Sequence, residues 1–228
     1  MIKIIVTGAS GRMGTRIIAL AAADKELKVV GKVDISDSLE KIISEGDVVI
    51  DFTLAEATIP NLKIAQKFKK AVVIGTTGHS AEQKKEIEKI SKEIPVVFAP
   101  NMSVGVNVMW KVLAEAAKIL GSAYDVKVSE THHIHKKDKP SGTALQIVHV
   151  LADALKIKEN QIPVESLREG EVVGDHTTFF SGPGEVLEIT HKASSRDPFA
   201  LGAIRAAKWV AKKKPGLYTM TDVLGLKS

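Results

Sequence analysis

The feature that most constrains this chain is an apolar run that ends on glycine. Ile2 to Thr7 is short and β-rich, and it leads directly into Gly8-Ala9-Ser10-Gly11-Arg12-Met13-Gly14. Ile17, Ile18 and Leu20 then recur at helical spacing. A parallel strand buried on both faces reads as a continuous apolar run. Glycines between such a strand and a helix let the backbone come close to a pyrophosphate held at the helix start. The spacing is G-x-x-G-x-x-G and not G-x-G-x-x-G, and a tight turn without a nucleotide would also use glycine. The position between strand and helix carries the reading. A second strand, Lys28 to Val33, ends at Asp34, 20 residues after Gly14, where an acid can bind a ribose 2′-hydroxyl.

The alternation continues. Asp47 to Ile50, Ala71 to Ile74 and Pro95 to Phe98 read as strands. Ala57 to Lys69 reads as a helix with Pro60 in its first turn, and Ser80 to Glu93 as a helix with a Ser80/Gln83 capping box. Repeated strand–helix units predict an α/β fold, a Rossmann-like doubly wound parallel sheet. Ligands sit beyond the C-terminal ends of such strands. Asp51-Phe52-Thr53, Gly75-Thr76-Thr77-Gly78 and Ala99-Pro100-Asn101-Met102 fall there, with small polar groups suited to ribose and nicotinamide.

After a long helix, Ser103 to Leu120, the pattern changes. A strand from Tyr124 to Ser129 is followed by a helix from Ser141 to Leu155. Val164–Arg168, Val172–Phe180 and Glu185–His191 then read as strands joined by glycine-rich turns, without helices between them. That order predicts a second α+β domain with a mixed or antiparallel sheet, which could also serve assembly. Asp197 to Lys213 is helical again, with Phe199, Ile204, Trp209 and Val210 as its apolar residues.

Composition removes several function classes. Zero cysteines exclude disulfides, a thiolate nucleophile and a cysteine-ligated metal, and fit a cytoplasmic protein. No apolar run is long enough to span a bilayer, and the N-terminus lacks a signal peptide's apolar region. The formal charge of +5 raises nucleic-acid binding, but aromatics are only 4% and the lysines alternate with acids, as on solvated helix faces. No nucleic acid and no membrane partner is expected. Tyr124-Asp125-Val126-Lys127 is one residue short of the Y-x-x-x-K of short-chain dehydrogenases.

Chemistry concentrates between Glu130 and Ala144, where His132, His133 and His135 stand beside Lys136, Lys137 and Lys139. Imidazoles change charge nearest neutral pH, and a lysine can serve as proton donor. Pro140-Ser141-Gly142-Thr143 reads as a helix start with Ser141 as N-cap, whose free amides can hold an anion. The segment alone leaves two readings open, a solvated basic loop and a site for an acidic metabolite. A metal is not expected, because these histidines lack the i, i+4 helical spacing of zinc enzymes.

These stretches together resemble one family, the 4-hydroxy-tetrahydrodipicolinate (dihydrodipicolinate) reductases. The glycine turn, Asp51-Phe52-Thr53, Gly75-Thr76-Thr77-Gly78, Ala99-Pro100-Asn101, the H-H-x-x-K and P-S-G-T-A motifs, Gly174-Asp175-His176, Glu188-Ile189-Thr190-His191 and Ser195-Arg196 occur in the family's order. The resemblance implies a dinucleotide-binding domain over residues 1–103 and 196–228, and a substrate-binding and oligomerisation domain over 104–195. It implies NADH and/or NADPH bound by Gly8, Ala9, Ser10, Gly11, Arg12, Met13, Asp34, Gly75, Thr76, Thr77, Ala99, Pro100, Asn101 and Met102. By the same resemblance His132 is a catalytic acid/base, Lys136 the proton donor, and His133, Gly142 and Thr143 bind the cyclic dicarboxylate of a homotetrameric enzyme. Ile35 stands where many members carry an arginine for the NADPH 2′-phosphate. Asp34 would repel that phosphate, whereas Arg12 and Lys32 could compensate for it.

Overall fold

Strand β1 (Ile2–Thr7) is buried on both sides from Ile4 onward, which is why its sequence shows no polar alternation. Ile4 and Val6 pack with Ile17 and Ala21 of helix α1 (Arg12–Ala22), while Ile5 points to the opposite face with Val49 and Ile74. Ile4, Ile5 and Val6 have no exposed surface. Burial of that kind contributes about 1.5–3 kcal/mol per side chain.

The computed structural model describes residues 1–226. After α1 come β2 (Leu27–Val33), α2 (Leu39–Ile42), β3 (Val48–Asp51), α3 (Ala55–Lys67), β4 (Ala71–Ile74), α4 (Ala81–Ser91) and β5 (Pro95–Phe98). Then follow α5 (Val104–Leu120), β6 (Asp125–His132), α6 (Gly142–Leu155), β7 (Val164–Arg168), β8 (Gly174–Gly182) and β9 (Glu185–Ala193). The chain continues with α7 (Asp197–Val210), β10 (Gly216–Tyr218) and α8 (Met220–Leu224). It divides into two compact units, Met1–Val104 with Asp197 onward, and Gly105–Arg196.

The first unit holds a wholly parallel six-stranded sheet in the order β10-β5-β4-β3-β1-β2. It is the Rossmann-like doubly wound sheet expected from the strand–helix alternation. The second unit holds a four-stranded mixed sheet, β7-β6-β8-β9, in which β6 pairs parallel with β7 and antiparallel with β8. Val106, Met109 and Leu113 of α5 and Ile147 and Leu151 of α6 build its core with Val128 and Phe180. The Ser80/Gln83 capping box forms as expected.

Two local expectations change. Helix α3 begins at Ala55, so Pro60 lies in its second turn and not its first. Both Ala57 and Thr58 donate to Leu54 O, which starts the helix early, and exposed Pro60 leaves the Glu56 carbonyl without its usual donor. Strand β6 runs past Ser129 to His132, because parallel pairing with β7 extends to His132↔Arg168. The apolar Ile204 and Val210 of α7 are buried as expected, and Ala200, Gly202, Ala203, Ala206 and Ala207 share that buried side.

Candidate active site

In the first unit β1 has β2 on one side and β3 on the other, so strand order reverses across it. A crevice for ligands opens at such a point. Gly8 turns the chain there with φ +74, and a Cβ on it would sit 2.3 Å from Phe52 O. No side chain caps α1 and its first turn carries no acid, so the amides of Arg12 and Met13 leave a positive end for an anion. Ser10 N donates to both oxygens of Asp34, at 3.1 and 3.0 Å, and Asp34 N donates to Asp37 Oδ2 at 2.8 Å. A cleft of about 520 Å³ adjoins this turn, lined in part by Gly8, Asp34, Asp37, Leu39 and Thr53. Ile35 is fully exposed.

Buried Asp51, at the end of β3, ties this crevice together. It accepts hydroxyls from Thr7 at 2.6 Å, Thr53 at 2.7 Å and Thr58 at 2.8 Å. Thr53 N donates to Thr76 Oγ1 at 2.9 Å, which latches the loop after β3 to the loop after β4. Gly75 packs on the Phe52 ring, while Thr77 and Pro100 are exposed at the rim. Asn101 Oδ1 accepts Ser103 N at 2.8 Å. The side chains of Ala9, Ala99 and Met102 are buried, so a ligand at these positions would meet backbone only. Met13 is half-buried against the core of this unit.

In the second unit, β6 delivers Glu130 and His132 to the same buried face. Glu130 Oε1 accepts Ser141 N at 3.0 Å. Its Oε2 lies 3.3 Å from His132 Nδ1 and 3.7 Å from His176 Nε2. Antiparallel register sets His176 directly opposite Glu130, and the two histidine rings meet edge to face at 5.0 Å. Burial alone would raise the Glu130 carboxyl, but contacts from His132, Ser141 and Ser166 outweigh it and hold the group well below the usual carboxylate range. Burial first, and then the neighbouring His132, pushes His176 down to about 3. His176 is therefore neutral at neutral pH.

Ser141 caps α6 as expected, accepting Ala144 N at 3.1 Å, and its hydroxyl lies 3.1 Å from His176 Nε2. Open space surrounds the place where a Cβ of Gly142 would lie, and half-buried Thr143 follows it. Their amides fall in the first turn of α6, which holds no acid, so the helix start can take a carboxylate. His133 N donates to Val172 O at 2.7 Å and Lys136 N to His133 O at 3.1 Å, pinning the loop that carries Lys136. Lys136 Nζ pairs with Asp138 Oδ1 at 2.8 Å.

The neighbouring histidines do not act as a trio. His135 is exposed and faces Glu171 at 3.7 Å, whereas His132 is buried. The atoms that do converge within 4.8 Å belong to Glu130, His132 and His176. The converging groups are thus not sequence neighbours at 132–135 but three residues joined by strand pairing. In this cluster the Arg168 guanidinium already supplies Glu130 with a positive partner at 3.4 Å. Sequence reasoning gave no role to Glu130, Arg168 or His176. For His176 the signals were its place in the Gly174-Asp175-His176 motif and the alternation of buried Gly174, His176 and Thr178 with half-buried neighbours, which marks one face of a strand. Another cleft of about 520 Å³ in this unit lies by Tyr124 and Val126 at the opposite end of β6 and contains no histidine.

Comparison with known proteins accounts for nearly the whole chain. The model for the N-terminus of dihydrodipicolinate reductase matches residues 2–102, and that for the C-terminus matches residues 105–224. A protein of Syntrophotalea carbinolica named 4-hydroxy-tetrahydrodipicolinate reductase is 42% identical over 100% of both chains. One of the same name from Anaeromyxobacter sp. is 44% identical, covering 100% of this chain and 99% of its own. The dipicolinate-bound dihydrodipicolinate reductase of Paenisporosarcina sp. TG-14 superposes with a TM-score of 0.82 at 22% identity, over 97% of this chain and 98% of that one. The DAP dehydrogenase of C. glutamicum shares the fold more loosely, with a TM-score of 0.60 at 14% identity over 100% and 96% of the two chains. With both family models matched in order and full-length relatives above two-fifths identity, this chain belongs to the dihydrodipicolinate reductase family.

Proposed function

We propose that the two units divide one reduction between them, the first holding NAD(P)H and the second a cyclic dicarboxylate. The chain is an oxidoreductase that reduces 4-hydroxy-tetrahydrodipicolinate with a nicotinamide cofactor. The reaction consists of loss of water to a conjugated imine and reduction to tetrahydrodipicolinate, a step of lysine and diaminopimelate biosynthesis. When bound, NAD(P)H supplies the hydride to ring C4. The electron pair of the double bond moves to C3, where the Lys136 ammonium delivers a proton. His132, held on Glu130, assists as acid/base, and His133 contacts the substrate. The amides of Gly142 and Thr143 clamp a ring carboxylate and so fix its orientation.

One observation carries this reading: Glu130 fastens the start of α6 through Ser141 N, while Arg168 joins that carboxylate to the loop bearing Lys136. A proton donor and an anion cradle thereby share one buried anchor. No metal is assigned to the cluster. On the cofactor side, the backbone at Gly8, Gly11, Arg12 and Met13 would hold the pyrophosphate. Asp34 and Asp37 line the adenosine cleft, which favours NADH over the 2′-phosphorylated cofactor. Exposed Val186 and Leu187 on edge strand β9 would be covered in a homotetramer. No helix among the described residues is long and apolar enough to cross a membrane, and a cytoplasmic location completes the proposal.

Lys136→Ala tests the assignment. Turnover falls by about 100-fold or more, the scale of a lost general acid, while the Kd for NADH stays within about twofold. Near-normal turnover would remove Lys136 from the mechanism.

A further inference from the structure

Arg168 ends β7 beside His132 in the parallel register, and its side chain is only 15% exposed. Its Nε donates to Lys136 O at 3.3 Å and its Nη2 donates to Asp138 O. Both Nη atoms lie 3.4 Å from Glu130 Oε1, and Nη1 also donates to Leu167 O at 2.6 Å. One planar guanidinium therefore spans a buried carboxylate and two carbonyls of the loop that carries Lys136. Between those carbonyls the loop closes on itself through Lys136 Nζ and Asp138 Oδ1 at 2.8 Å.

We infer that Arg168 is the positioning residue for Lys136. It fixes the direction of that ammonium by holding the loop's carbonyls at residues 136 and 138 against the Glu130 anchor. The geometry needs arginine. Five donors in a rigid fork can meet a carboxylate and three carbonyls at once, whereas a lysine at this position presents a single ammonium on a flexible stem. Arg168 does not touch the reacting ring in this account, and its whole effect passes through Lys136. Glu130 extends the same anchor to Ser141 N, so the proton donor and the carboxylate cradle are set from one point.

The inference rests on the proposed role of Lys136, and a double-mutant cycle separates the two. Arg168→Lys and Lys136→Ala are made singly and together, and kcat, KM for the cyclic substrate, NADH Kd and Tm are measured for each. Expected is a fall in kcat of about 10-fold or more for Arg168→Lys with NADH Kd unchanged. In the Lys136→Ala background the same change has no further effect on kcat, because the group it positions is gone. Losses that multiply in the double variant, or an unchanged kcat in Arg168→Lys, overturn the inference. If Lys136→Ala alone retains near-normal turnover, the Lys136 reading itself fails and takes the inference with it. Should Arg168→Lys not fold, Arg168→Gln, which keeps a planar donor group on a shorter stem, is put through the same cycle with the same two outcomes.

Discussion

Replacing Asp51 by alanine should unlock the cofactor crevice and weaken the first unit by an amount that follows from its partners. The carboxylate takes hydroxyls from Thr7, Thr53 and Thr58 at 2.6, 2.7 and 2.8 Å. Thr7 and Thr58 are each 1% exposed, so water cannot replace the lost acceptor without rearrangement. Thr53 and Thr58 retain a longer fallback on Leu54 O, at 3.3 and 3.4 Å, and Thr7 bears the full loss. A buried hydroxyl left without a partner costs about 1–3 kcal/mol. One full and two partial losses then amount to about 3–4 kcal/mol, or roughly 6–16 °C in Tm for a chain of this size. Asp51→Asn keeps one acceptor oxygen and should fall about halfway. Urea unfolding followed by circular dichroism measures the loss, and fluorescence titration measures NADH affinity, which should weaken as Thr53 and Thr76 come loose. A loss below about 1 kcal/mol in Asp51→Ala would refute the assignment of Asp51 as the anchor of that crevice.

Gly202→Ala should unfold the first unit or weaken it by more than the roughly 1–3 kcal/mol typical of overpacking, since its Cβ would fall 1.7 Å from Met102 O; a normal Tm would contradict the packing of α7. The His176 ring predicts acid sensitivity in a defined window. Its folded value is about 3 against an ordinary 6.5, so the unfolded chain binds an extra proton between those limits and stability falls as pH drops from 6.5 toward 3. The slope is at most about 1.4 kcal/mol per pH unit, and His176→Gln should flatten it in urea titrations; an identical slope in both proteins would exclude the ring as its source. Glu130, held low, contributes stability that is fully present above its ordinary 4.5 and is lost progressively as pH falls from there toward its depressed folded value. At the adenosine cleft, Asp37→Ser should raise kcat/KM for NADPH several-fold more than for NADH, and equal changes would remove Asp37 from cofactor selection.

The first unit was readable from sequence because its signals are local. A doubly buried strand gives an unbroken apolar run, as in Ile2–Thr7, and a βα turn gives glycines at fixed places. The capping box at Ser80 and the N-cap at Ser141 needed only three residues of separation. The site in the second unit is different, since its anchor joins Glu130 to Ser141, Arg168 and His176 across strand pairings. Only the antiparallel register Glu130↔His176 and the parallel register His132↔Arg168 bring these groups together. A one-residue slip would turn them to the other face, and no single stretch of sequence reports which register holds. In α7 the apolar Ile204 and Val210 are buried as their type suggests, but small Ala200, Gly202, Ala203, Ala206 and Ala207 fill the rest of that buried side. Close approach to the Met102 carbonyl selects small side chains there, and hydrophobicity alone cannot reveal it.

In the proposed reaction hydride reaches ring C4 from the cofactor while the protein supplies the proton at C3. Reduction with NADH deuterated at the transferring position of nicotinamide C4, run in ordinary water and followed by NMR of the product, tests this directly. The expected product carries one deuterium at ring C4 and none at C3. Deuterium at any other ring position, or its loss to solvent, would contradict it.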